Sequence, residues 1–85
     1  MPTTIDFTKL SRQVADVLRK EFGPDVTVRT DEGWHGRIHV KVVSNAFDDR
    51  ASDEKQEMVW QVLKRELGEE ADAVALVLAY GMDEI

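Results

Sequence analysis

The sequence predicts an α+β domain of element order αββααβ, a three-stranded mixed sheet carrying its helices on one face. Three observations lead there. Two stretches repeat apolar residues at helical spacing: Leu10, Val14, Val17, Leu18 and Phe22 in the first, Met58, Val59, Val62, Leu63 and Leu67 in the second. Two others alternate at period two, Val26-Thr27-Val28-Arg29-Thr30 and Arg37-Ile38-His39-Val40-Lys41-Val42-Val43. The third observation is the nearly continuous apolar run at 73–80, which is short and rich in branched and aromatic residues and therefore reads as a strand.

Taken in order, the first helix is expected over residues 5–22, with caps available from Thr3 to Thr8 and an end at Gly23-Pro24, since proline cannot continue a helix. A hairpin follows, its six-residue loop at 31–36 holding two glycines. In the second strand Ile38, Val40 and Val42 point to the core, and Arg37, His39 and Lys41 point away from it. Phe47, three residues past Ser44, reaches the same core from a turn, with a short helical turn expected over 46–50.

Ser52 or Asp53 caps the second long helix, Asp53 and Gln56 are spaced as a capping box, and Gly68 closes it. In the last strand Val74, Leu76, Leu78 and Tyr80 share one face, and Ala73, Ala75, Val77 and Ala79 the other. Leu76 is thus expected in one core with Val42, Phe47, Val59 and Leu63, leaving the alanine face outward.

A chain of 85 residues supports one small core, so residues 1–85 are read as a single domain. With 42% hydrophobic and 33% charged residues it has the composition of an ordered soluble globule. It has no cysteine, which excludes a disulfide, a thiolate nucleophile and an iron–sulfur cluster held by its own thiolates. The first residues lack a basic segment followed by an apolar run, and no apolar run is long enough to span a bilayer, so a cytoplasmic location is expected.

The net charge of −6 lies in the last third: residues 53–85 hold three Lys and Arg against nine Asp and Glu. Nucleic-acid binding needs basic residues gathered on one face, and none is expected here. No nucleophile elbow or phosphate-cradling glycine loop is present, so the chain is read as non-enzymatic. Nor do residues 48–52 hold the Gly-x-x-Gly of a KH-type RNA site.

The segment Val42-Val43-Ser44-Asn45-Ala46-Phe47, followed seven residues later by Lys55-Gln56-Glu57-Met58-Val59-Trp60, resembles the BolA-like family. That family places a strand ending in valines and serine before a phenylalanine, then Arg-His-Arg, two apolar residues and an aromatic. The resemblance covers about residues 8–80 and implies a class II KH-like fold. It also implies an adaptor that shares a [2Fe-2S] cluster with a monothiol glutaredoxin. In this sequence the Arg-His-Arg triplet is Lys55-Gln56-Glu57, and the family's ligand histidine before the last strand is replaced by Asp72. His35 falls in the loop where family members often hold a second ligand, which makes it the one imidazole this chain would give such a cluster, and only with a partner present.

On the residues themselves, His35 beside Trp34 in a glycine-flanked loop reads as an interaction tip. His35 and His39 are four apart, and on a strand that is roughly 13 Å, so both reach one ion only if the hairpin bends sharply, and a two-histidine site is not expected. Arg37, His39, Lys41 and Lys55 form a possible partner surface, Asp72 stands at the family's ligand position, and Trp60 reads as packing at the edge of its helix stripe. Two other readings stay open: a nucleic-acid-binding transcriptional regulator on the same scaffold, and an interaction domain that has lost both activities.

Overall fold

The computed structural model describes residues 7–84; the expected helix start at residue 5 and the caps before residue 7 lie outside them. Helix α1 spans Phe7–Phe22, strand β1 Thr27–Glu32, strand β2 Ile38–Val43, helix α2 Ser52–Leu67 and strand β3 Val74–Tyr80. Short 3-10 turns at Trp34–Gly36, Asn45–Phe47, Gly68–Ala73 and Met82–Glu84 join or end them. β2 lies between β1, antiparallel to it, and β3, parallel to it. The mixed sheet expected from the element order is therefore present.

The core lies between the sheet and the two helices. Leu10, Val14 and Leu18 of α1, Val59, Val62 and Leu63 of α2, and Ile38, Val40 and Val42 of β2 are all buried in it. Phe47 is fully buried and meets Phe22 edge to face at 5.1 Å between ring centroids. Its approach is fixed by Ser44, whose hydroxyl accepts from the Ala46 amide while the Ser44 carbonyl accepts from the Phe47 amide. Gly23 ends α1 with φ +101° and Gly68 ends α2 with φ +58°, conformations that favour glycine over any residue with a Cβ.

The last strand departs from expectation. Ile38 pairs with Val74, yet the next residue, His39, pairs with Leu76, so Ala75 is an extra residue in β3 and forms a bulge. Beyond it every side chain changes face. Val77 and Ala79 turn inward and are buried, whereas Leu76 and Leu78 turn outward and are 43% and 38% exposed. The expected inward face of Leu76, Leu78 and Tyr80 is thus corrected, and the outward alanine face with it. Small side chains on the inner face let α2 lie close over β3. The arrangement forgoes part of the roughly 1.5–3 kcal/mol that full burial of each leucine would contribute.

Two smaller corrections follow from pairing and packing. β1 runs on to Glu32, which pairs with Ile38, and the Gly33 amide donates to the Arg37 carbonyl, so the hairpin loop is shorter than six residues. The capping box does not form. Ala51 occupies the cap position without a side-chain bond, and among the described residues the Asp53 carboxylate accepts only from the adjacent Glu54 amide. Gln56 is drawn away instead, its side-chain amide donating to the Val77 carbonyl and tying α2 to β3. The short turn expected over 46–50 forms slightly earlier, at Asn45–Phe47.

Candidate partner-binding site

Because β2 and β3 are parallel and begin in register at Ile38 and Val74, the segments that precede them lie at the same end of the sheet. One segment is the turn Trp34–Gly36, which holds His35; the other is the turn Gly68–Ala73, which holds Asp72. Two residues singled out for separate reasons in the sequence therefore share one end of the molecule. Asp72 is exposed, and the Trp34 ring is 82% exposed. The loop is shaped by Arg37, whose amide donates to the Trp34 carbonyl at 3.0 Å, and by Gly36 at φ +76°.

His39 belongs to the same end. A methyl group on Gly33 would fall 2.5 Å from Nε2 of the His39 imidazole, so that ring is folded back against the loop and would have to shift for any residue with a Cβ. The chain from His35 to His39 is not extended throughout, since a 3-10 turn occupies its first residues. Among the described residues no three His, Asp or Glu side chains gather to hold a metal ion.

Lys55, expected on the partner surface, lies elsewhere. It is 5% exposed, at the opposite end of the sheet, and its ammonium is ion-paired with Glu84. Glu84 also accepts from the Gly81 amide at 2.9 Å, Asp83 accepts from the Asp49 amide, and the Asp83 amide donates to Asp48. The turn Met82–Glu84 is in this way fastened over the start of α2. Gly81 sits in the joint, where a methyl would come within 2.6 Å of Asp48 Oδ1. Nothing in the sequence alone announced this lock, because its donors and acceptors lie about thirty residues apart.

The bonds from Lys55 and from the Gly81 amide hold the Glu84 carboxyl below its usual pKa. The tie is therefore at full strength above the ordinary glutamate range and is lost as the pH falls through the lowered value. Acidification should free the turn Met82–Glu84, and the Gly81 amide chemical shift should report it. If Glu84→Gln shows the same pH profile, Glu84 does not control the turn.

Several surface depressions lie among the described residues. One of about 320 Å³ is lined by Thr8, Lys9, Arg12, Gln13 and Asp16 along α1. Another of about 260 Å³ includes Asp25, Ser44 and Asn45 without a histidine. Among the described residues no helix is long and apolar enough to cross a membrane.

The backbone decides the fold family. It matches the BolA domain of SufE1 from Arabidopsis thaliana with a TM-score of 0.66, over 89% of this chain and 95% of that one, at 20% sequence identity. The chain has the BolA-like fold. No family model and no curated protein matches the sequence, so the likeness rests on the path of the chain. Within the BolA-like fold, Ser44 and Phe47 make the turn into the core. The first two positions of the departed triplet, Lys55 and Gln56, serve as structural ties to Glu84 and Val77. Arg37 and Lys41 remain exposed, and His39 is half-buried.

Proposed function

We propose that this BolA-like chain is a non-enzymatic adaptor of the cytoplasm that binds a protein partner of the monothiol glutaredoxin type. The observation that carries the reading is that the Trp34–Gly36 loop and the Asp72 turn lie at the same end of the sheet, with Trp34 of that loop 82% exposed. An exposed tryptophan at a loop tip is a common anchor of protein interfaces.

The donor set suits a shared iron–sulfur cluster and not one held alone. The chain has no thiolate, so the partner must bring the thiolates, and this chain offers the imidazole of His35, with Asp72 on the turn at the same end of the sheet. A [2Fe-2S] cluster, when bound, would supply a redox-responsive link between the two proteins. Asp72 presents a hard carboxylate, poorly matched to iron in a sulfide cluster compared with imidazole. The link should accordingly be weaker than one with two imidazoles.

Two substitutions test this in an anaerobic mixture with a monothiol glutaredoxin. Asp72→His is expected to strengthen cluster retention, and His35→Ala to abolish it, both read from visible absorption and circular dichroism. Spectra unchanged by either substitution would show that the chain does not act through a cluster.

A further inference from the structure

The outer face of the sheet differs from the rest of the surface. The pairing lays three rows across it: Asp31, His39 and Leu76; Arg29, Lys41 and Leu78; Thr27, Val43 and Tyr80. The bulge in β3 has turned Leu76 and Leu78 out onto this face. Beside them Arg29 and Lys41 stand directly opposite each other on neighbouring strands. Like charges in that position repel. Among the described residues neither is ion-paired. The Lys41 ammonium is held 5.5 Å from the Tyr80 ring centroid, which fixes its place without neutralising it. Asp31 is the one carboxylate in the three rows, on a chain whose net charge is −6.

We propose that this face docks an acidic amphipathic segment of a partner protein, with carboxylates placed at Arg29 and Lys41 and apolar side chains against Leu76, Leu78 and Tyr80. Charge selects the occupant. A second copy laid face to face would bring the same cations together, whereas an acidic segment relieves their repulsion. Nucleic acid would have to approach a strongly acidic chain and would find aliphatic side chains where stacking calls for a row of aromatics. Strand addition along β3 would have to compete with Gln56, whose side-chain amide already donates to the Val77 carbonyl. The surface borders the loop end assigned to the glutaredoxin-type partner at His39, but its docking residues are different ones and it does not depend on that assignment.

The test titrates the protein with a short labelled peptide that carries leucines on one helical face and glutamates on the other. A peptide with lysines for the glutamates and a single-stranded DNA of similar length are run alongside. The glutamate peptide is expected to bind saturably, to weaken as salt is raised, and to shift the amides of Arg29, Lys41, Leu76 and Leu78. Lys41→Glu and Leu78→Ser should each weaken it by about tenfold, an effect of the size expected when one buried charge or apolar contact is lost at an interface. Circular dichroism identical to that of the parent will show that both variants fold, and Arg29→Glu provides a third variant should one of them not. The proposal is overturned if no saturable binding occurs, if the lysine peptide or the DNA binds as well, or if the shifts lie elsewhere. Shifts of the same amides that depend on protein concentration alone would assign the face to a second copy and overturn it equally.

Discussion

Replacing Phe47 with alanine is expected to cost about 3–5 kcal/mol, the range for removing a large aromatic from a closed core. Phe47 is fully buried, packs edge to face on Phe22 at 5.1 Å, and comes from a turn that Ser44 holds by two hydrogen bonds. The turn cannot collapse into the space left behind without breaking those bonds. A domain of this length has a total stability of roughly 4–13 kcal/mol. The loss would therefore be a large share of it, and the urea midpoint should fall steeply. A midpoint equal to the parent's would mean that Phe47 does not close the core.

The second large effect separates two neighbours in β3. Val77→Asp places an unpaired carboxylate where the residue is 1% exposed, between the sheet and α2, and is expected to cost more than about 4 kcal/mol, a large share of the domain's stability. Leu76→Asp places the same group on the outer face, where the residue is 43% exposed, and should change stability by no more than about 1 kcal/mol. The pair tests the bulge directly. A regular strand, in which Leu76 faces the helices, gives the reverse order of stabilities.

That reversal also marks the limit of what the sequence revealed. Helical and alternating periodicities are local, and they located α1, α2, β1 and β2 to within a few residues and placed Val42, Phe47, Val59 and Leu63 in one core. In β3 both alternating sets are apolar, so periodicity could not show that Ala75 is extra. The choice is made by pairing with His39 and by packing under α2, and neither is local. The same reason hides the roles of Lys55 and Gln56. Each is an ordinary polar helix residue until Glu84 and the Val77 carbonyl are brought against it.

For the candidate site the sequence offered residues but not their arrangement. His35 and Asp72 were separate in the chain and linked only by resemblance to a family. Their common end follows from the parallel pairing of β2 with β3, with Ile38 opposite Val74. The outer-face pairing of Arg29 with Lys41 was likewise out of reach, because it depends on the register of the hairpin.

The central claim is that this chain works by docking a glutaredoxin-type partner at the loop end of its sheet. The most direct measurement is a titration of its backbone amides with a cluster-free monothiol glutaredoxin. The account predicts saturable shifts concentrated in residues 33–37 and 68–74, with the Trp34 indole among the most perturbed. An unshifted spectrum at excess partner, or shifts confined to α1 or to the Met82–Glu84 turn, would contradict it.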